Sequence, residues 1–161
     1  MTRYLVIGGA LSAMIGASGY YGFGGAWGAP VAFTGLASLS VGFGLLFAQS
    51  EGASRWFALA IAVTGSSLVV VVVSQRLVAE SSTSESTLIS GLFISFMASL
   101  ALFGLSALVN GSAPGLVAAT LIVGTPLLAV GVWQERMGDI GFPITVLGLV
   151  LLGLTIELSS G

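Results

Sequence analysis

Cysteine, histidine and lysine are all absent from the sequence, and its four cationic side chains are arginines. Without cysteine the chain forms no disulfide and carries no thiol nucleophile or thiolate metal site. Without histidine it lacks the commonest general base and transition-metal ligand, and without lysine it can form neither a Schiff base nor a Ser–Lys dyad. No bound metal, haem or covalent cofactor is therefore expected. Nucleophile-elbow, phosphate-binding and dinucleotide-binding motifs are also missing, so we predict that the protein is not an enzyme.

Charge is scarce throughout the chain. Only 6% of the residues are charged, against about 25% in soluble domains, whereas 56% are hydrophobic and the mean hydropathy is +1.10. The net charge is −2 without any run of like charges, so nothing could neutralise a nucleic-acid backbone. The length of 161 residues suits one compact bundle. The composition predicts a single integral membrane domain, 1–161, whose main partner is membrane lipid.

The stretch Trp56 to Ser74 is free of charge and lies between Arg55 and Arg76. At about 1.5 Å per residue it is long enough to cross the roughly 30 Å hydrocarbon core of a bilayer. Five other apolar stretches have similar lengths. We therefore predict an all-α, polytopic transmembrane bundle of about six helices. The predicted spans cover residues 4–24, 29–49, 56–74, 88–109, 115–133 and 142–158.

Helix-end signals support this division. Pro30 is expected near the start of the second helix, where its missing N–H is harmless. Asn110-Gly111 favours a left-handed end to the fourth helix. Asp139 is a predicted N-cap and Pro143 a first-turn residue of the sixth. All three tryptophans fall at predicted span ends, where an indole ring is favoured: Trp27, Trp56 and Trp133.

An even number of spans places both termini on one side of the membrane. That side would carry Arg3 and Arg55, and the other Arg76 and Arg136. The two sides carry equal numbers of arginines, and the N-terminal amine adds one positive charge to the side of the termini. Because positive charge favours the cytoplasmic side, we predict a cell-membrane protein with both termini in the cytoplasm. Two alternatives stay open: the first segment resembles a secretory signal peptide, and the two halves could form an inverted repeat of three helices each.

Small residues recur four apart on the first helix, in two stripes, and such stripes let helices approach closely in lipid. One stripe holds Gly8, Ser12 and Gly16, and the other holds Gly9, Ala13 and Ala17. Close packing through such faces is therefore expected.

Neutral polar residues occur at the middle of two spans. Thr64, Ser66 and Ser67 lie at the centre of the third span, and Thr125 and Pro126 at the centre of the fifth. Proline cannot donate to the helix ladder, and freed carbonyls and hydroxyls in lipid need partners. We therefore predict that these residues meet in a midplane polar site or hinge. The alternative interpretation is that each hydroxyl only serves helix packing.

Carboxylates cluster on the side opposite the termini, where oxygen ligands could bind a hard cation. The residues are Glu80, Glu85, Glu135 and Asp139. Acids in surface loops are usually just solvated, so no metal site is predicted. Glu157 is close to the end of its span and is interpreted as interfacial.

Two functions of different class follow. The preferred one is a non-catalytic structural or accessory subunit that packs against other membrane subunits or against itself. The alternative is a small transporter or channel that uses the midplane polar site for a neutral or weakly polar solute. A transporter needs polar groups connected to both membrane surfaces, whereas the spans contain no deep charged residue.

Overall fold

The computed structural model of the chain describes residues 1–21, 25, 27–78, 83–131 and 133–155, and gives the backbone alone for 20–21, 75–78, 83–86 and 135. The described residues form helices and no strand, which confirms the all-α prediction. The six helices are α1 (Thr2–Tyr21), α2 (Gly28–Gln49), α3 (Gly52–Val78), α4 (Thr83–Val109), α5 (Gly115–Val130) and α6 (Glu135–Thr155).

The helices form a closed ring. Each described helix packs against its neighbours in sequence, and α1 also packs against α6. Short connections make consecutive helices antiparallel neighbours, because a short turn cannot carry the chain across the bundle. The ring order therefore follows the chain order.

Four of the helices are long and apolar enough to cross a membrane, and they are Gly28–Gln49, Gly52–Ser74, Thr87–Val109 and Arg136–Thr155. The helix α5 is apolar but has only 16 residues, or about 24 Å. The helix α1 has 20 residues but includes Arg3 and several glycines, serines and tyrosines, which lower its hydropathy. Large apolar side chains such as Val70, Leu105 and Leu147 are exposed on the outer surface. These features are consistent with a membrane protein.

Several helices begin earlier than the apolar runs predict. The helices α3 and α4 begin at Gly52 and Thr83 rather than at 56 and 88, and α6 begins at Glu135 rather than at 142. Asp139 is therefore an exposed residue inside α6 and not its N-cap, and Pro143 is nine residues into the helix. Hydropathy marks where a helix enters lipid, whereas the hydrogen-bonded turns continue into the polar interface.

The early turns of α6 are held against α5 by glycines. A Cβ on Gly138 would lie 3.2 Å from Gly131 Cα, and one on Gly141 would lie 2.7 Å from the Leu127 carbonyl carbon. This contact explains why the helix extends past the apolar run. The helix α5 ends at Val130, before the predicted 133, and Trp133 N–H donates to the Val130 carbonyl at 2.9 Å in the following turn.

The predicted end of α4 is confirmed. Gly111 has a φ of +65°, a left-handed conformation that glycine adopts without strain. Gly111 N–H donates to the Leu108 carbonyl at 3.3 Å, and Ser112 N–H donates to the Ala107 carbonyl at 3.0 Å. These two bonds form a Schellman motif, which satisfies carbonyls at the helix end. Pro30 is the third residue of α2, as its missing N–H requires.

Close glycine contacts join α1 to α2. A Cβ on Gly9 would lie 2.8 Å from the Gly35 carbonyl oxygen, and one on Gly16 would lie 2.6 Å from Ala32 Cα. A Cβ on Gly8, in contrast, would meet nothing within 4 Å. The packing face therefore combines members of both predicted stripes, and small residues let the two backbones nearly touch.

Glycines serve other interfaces of the ring in the same way. A Cβ on Gly124 of α5 would lie 2.7 Å from the Thr145 amide nitrogen of α6. One on Gly104 of α4 would lie 2.9 Å from Leu121 Cβ of α5, and one on Gly153 of α6 would lie 3.3 Å from the Arg3 carbonyl oxygen of α1. The ring closes because small residues occur where its helices cross.

Apolar side chains from all six helices fill the middle of the ring, and we call this cluster the apolar centre. Phe43 of α2 is fully buried, and its ring meets the Phe103 ring of α4 edge to face with centroids 5.4 Å apart. The other buried members are Val6, Ala10, Leu39, Leu46, Ala58, Ile61, Phe96, Met97, Leu100, Val117, Leu121, Val146, Leu149 and Leu152.

Candidate functional site

The predicted midplane residues of α3 are satisfied within their own helix or exposed on its surface. Thr64 is half-buried, and its hydroxyl donates to the Ala60 carbonyl at 2.7 Å. Ser66 is exposed on the outer surface and Ser67 is half-buried.

The predicted residues of α5 behave similarly. Thr125 is fully buried, and its hydroxyl donates to the Leu121 carbonyl at 2.7 Å. Pro126 is exposed within the continuous helix α5. Its lack of an N–H leaves the Ile122 carbonyl without its usual helical donor.

The structure does not bring these two clusters together. Among the described residues no Cα of α3 lies within 8 Å of a Cα of α5, which is too far for serine and threonine hydroxyls to bond each other, and α4 lies between the two helices in the ring. The prediction that Thr64, Ser66 or Ser67 meets Thr125-Pro126 is therefore wrong. A serine or threonine in a helix can donate to the carbonyl four residues earlier, so a mid-depth hydroxyl needs no second helix. A hinge at Pro126, or a solute contact at any of the five residues, stays a prediction.

The carboxylates of the sequence are only partly described. Glu80 and Glu157 lie outside the described residues, as do the side chains of Glu85 and Glu135, and Asp139 is exposed. The described residues contain no group of three or more acids that could hold a metal ion.

A cavity of about 780 Å³ lies at one end of the bundle, and we call it the vestibule. It is bounded by the start of α1, the α2–α3 turn, the α4–α5 turn and the end of α6. Both ends of the described chain, Met1 and Thr155, line it and therefore lie at the same end of the bundle. The lining residues are Met1, Thr2, Arg3, Tyr4, Leu46, Gln49, Ser50, Glu51, Ser54, Phe103, Ala107, Asn110, Ser112, Ala113, Leu152 and Thr155.

A hydrogen-bonded cluster of neutral side chains lies in the wall of the vestibule. Ser54 Oγ of α3 and Ser106 Oγ of α4 are 2.9 Å apart, and both residues are more than nine-tenths buried. The Asn110 amide donates to Ser106 Oγ at 3.3 Å and to Ser54 Oγ at 3.5 Å. The cluster joins the start of α3 to the end of α4.

A second polar contact joins α1 to α2 at the same end. The Gln49 amide donates to the buried Thr2 hydroxyl at 3.5 Å. At this distance the bond is weak. It nevertheless places two more neutral groups at the vestibule.

The floor of the vestibule is apolar. Leu46, Phe103 and Leu152 line it and are themselves buried. Phe103 is also part of the apolar centre, where it meets Phe43. Phe103 is seven positions before Asn110 in the chain, a distance of about 10 Å along the axis of α4. The vestibule therefore enters the bundle from one end and stops at the apolar centre.

Arginines at this end interact with aromatic rings. The Arg3 guanidinium donates to the Tyr4 hydroxyl and lies 4.3 Å from the centre of its ring. The Arg55 guanidinium lies 4.6 Å from the Phe47 ring, which is 6.2 Å from the exposed Trp56 ring. Arginine and tryptophan together are typical of a membrane interface.

The vestibule was not predicted from the sequence. Ser54 and Ser106 are 52 residues apart, and in the sequence each is simply a serine near a span end. The one available signal is topological, since the 50–55 and 110–114 turns are two spans apart and therefore face the same side.

No family model, curated protein or solved structure matches the chain. The functional assignment therefore depends on the geometry of this chain alone.

Proposed function

We propose that the protein is a non-catalytic integral membrane protein with a structural or accessory role, which assembles with other membrane subunits or with copies of itself. The apolar centre is the observation that carries this proposal. All six helices contribute buried apolar side chains to it, and Phe43 packs against Phe103 across the ring.

Transport of a polar solute would need polar groups connected to both ends of the bundle. Beyond the vestibule floor, the buried hydroxyls of Ser40, Thr125 and Thr145 each donate to a carbonyl four residues earlier in their own helix. None of these three hydroxyls has its hydrogen free for a solute. This arrangement favours a structural role over transport.

The charged side chains that the structure describes support a role without catalysis. Arg3 and Arg55 are in the first turns of their helices, and Arg136 and Asp139 are near the start of α6. Glu51 is exposed in the α2–α3 turn. The buried hydroxyls of Ser40, Thr125 and Thr145 donate to carbonyls of their own helices and not to any of these charged groups.

Purification in mild detergent tests the proposal. The tagged chain is extracted from its native membrane beside an unrelated tagged membrane protein of similar size, and co-purifying proteins are quantified. Co-expression of tagged and untagged copies tests self-association. We expect either one membrane protein at near-stoichiometric yield or recovery of the untagged copy. Recovery of the tagged chain alone in both experiments would contradict the proposal.

A transporter or channel for a neutral or weakly polar solute is the second candidate, because the vestibule gives such a solute access from one end. The apolar centre would then have to open. Proteoliposome swelling in neutral solutes tests this, with Phe103→Ala enlarging the passage and the outward-facing Leu102→Ala as its control. Solute flux that rises with Phe103→Ala alone would favour the transporter, and flux equal to that of protein-free liposomes would count against it.

A further inference from the structure

The vestibule has the size and the division of polarity of a ligand site. Its volume of about 780 Å³ is within the roughly 300–1,000 Å³ range of small-molecule pockets. Its wall carries hydroxyls and amides, whereas its floor is formed by Leu46, Phe103 and Leu152. A molecule that fits both surfaces has one polar end and one apolar end.

The hydrogen-bonded cluster of Ser54, Ser106 and Asn110 contains one hydroxyl hydrogen that has no acceptor in the described part of the chain. The Asn110 amide donates to Ser106 and, more weakly at 3.5 Å, to Ser54, and one serine hydroxyl donates to the other. A hydroxyl has one hydrogen, so the second serine keeps a donor with no acceptor among the described residues. Ser54 lines the vestibule and Ser106 does not. Either serine can donate to the other; with Ser106 as the donor, the Ser54 hydrogen is directed into the vestibule.

The charges at the vestibule select against a charged ligand. Three charged groups lie at the vestibule: Arg3 is occupied by the hydroxyl and ring of Tyr4, whereas Glu51 and the amine of Met1 are on exposed residues at the rim. The buried polar groups that line the wall, Thr2 and Ser54, are neutral. A charged group there would lose its hydration without gaining an opposite charge.

We propose that the vestibule binds a small uncharged amphipathic molecule whose carbonyl or hydroxyl oxygen accepts the Ser54 hydrogen and whose apolar part lies on Phe103, Leu46 and Leu152. The molecule can be a free solute or the ester region of a bilayer lipid, since both present the same oxygen acceptor beside an alkyl chain. Binding requires no passage through the apolar centre, so the proposal is independent of whether the protein assembles or transports.

The test uses the natural absence of cysteine. Ser112→Cys places one thiol at the exposed edge of the vestibule, and its alkylation by a water-soluble maleimide is timed in proteoliposomes. Monooctanoylglycerol is the probe, with octanoate and octyltrimethylammonium as charged controls of the same chain length. At about twice its Kd the probe occupies about two thirds of the sites and slows alkylation about three-fold. We expect the two charged controls to slow it much less.

Variants of the donor identify the contact. Ser54→Ala, added to Ser112→Cys, should abolish protection by monooctanoylglycerol because the hydrogen is gone. Ser54→Thr keeps a hydroxyl and should retain protection, which separates loss of the donor from loss of the fold. Ser74→Ala is the matched control on α3, because its exposed hydroxyl bonds the Val71 carbonyl. It should leave protection unchanged.

The bilayer composition separates the two sources of the ligand. If alkylation of Ser112→Cys is slow in ester-linked lipid and fast in ether-linked lipid, the bilayer lipid supplies the bound oxygen. If it is equally fast in both and monooctanoylglycerol slows it in both, the ligand is a free solute. Two results would overturn the proposal: equal protection by all three amphiphiles, or no protection by any.

Discussion

Gly16 and Gly8 offer a matched pair of substitutions on one helix. A Cβ on Gly16 would lie 2.6 Å from both Ala32 Cα and the Gly28 carbonyl oxygen, and closer still to the Ala32 nitrogen. A Cβ on Gly8 would meet nothing within 4 Å. Gly16→Ala must therefore push α1 away from α2, whereas Gly8→Ala adds a methyl group to an open surface.

The size of the effect follows from the contact distances. Non-bonded carbons are optimal at about 3.5–4.0 Å, so α1 must move by about 1 Å at this crossing, which forfeits up to about half of each local contact energy. Overpacking of this kind typically costs about 1–3 kcal/mol. The alanine gains about 1 kcal/mol of helix propensity at either position. Because that gain cancels in the comparison, Gly16→Ala should be less stable than Gly8→Ala by about 1–3 kcal/mol.

Denaturation in mixed micelles measures this difference. Each variant is titrated with a denaturing detergent and followed by far-UV circular dichroism, and the midpoints are converted to free energies of unfolding at matched lipid content. Equal stabilities of Gly16→Ala and Gly8→Ala would refute the close α1–α2 crossing, and with it the packing face that holds this half of the ring.

Three further predictions are independent of the first. Reporters fused at either terminus should both read cytoplasmic, with the 76–87 loop outside, and opposite readings would remove one membrane crossing. In a double-mutant cycle of unfolding free energies, Ser54→Ala and Ser106→Ala should show a coupling energy of about 0.6–1.7 kcal/mol. The control pair, Ser54→Ala with Ser74→Ala, should show none. A coupling energy of zero in the first pair would mean that the two hydroxyls do not form a hydrogen bond. Elemental analysis of the purified protein should find no stoichiometric zinc, iron or copper, since the chain lacks histidine and cysteine; a full equivalent of any of them would show that the ligand argument is wrong.

The number and the class of the elements could be predicted from the sequence. In lipid every backbone N–H and C=O must form its hydrogen bond within its own segment, so a charge-free run such as Trp56–Ser74 is expected to form a helix. Gly111 was predicted as a helix end for an equally local reason, because glycine accepts the left-handed conformation that the Schellman motif requires.

The starts of the helices could not be predicted as well. Glu135 and Thr83 begin helices outside the apolar runs, where hydropathy carries no signal. The position of Asp139 before Pro143 has the sequence features of a cap, but the contact of Gly138 with Gly131 keeps that segment helical. Tertiary packing overrides a local capping preference of about 1 kcal/mol.

The polarity of mid-span residues alone predicts the wrong helix neighbours. Their depth and polarity predict a contact between Thr64 and Thr125, yet each hydroxyl donates to a carbonyl in its own helix. The ring order instead follows the short connections and the glycine crossings. The vestibule was missed because its key pair, Ser54 and Ser106, depends on that ring order and not on any pattern near either serine.

A cysteine accessibility profile along the bundle axis is the most direct test of the closed ring with its one-ended vestibule. Single cysteines at Ser112 and Ser50 sample the vestibule, and those at Ser40 and Thr125 sample the buried centre. Ser40 lies nine residues before the end of α2, or about 14 Å deeper. We predict that a membrane-impermeant thiol reagent modifies the first pair and leaves the second unmodified. Modification of the Ser40 or Thr125 cysteine at a rate similar to that at Ser112 would contradict the closed apolar centre.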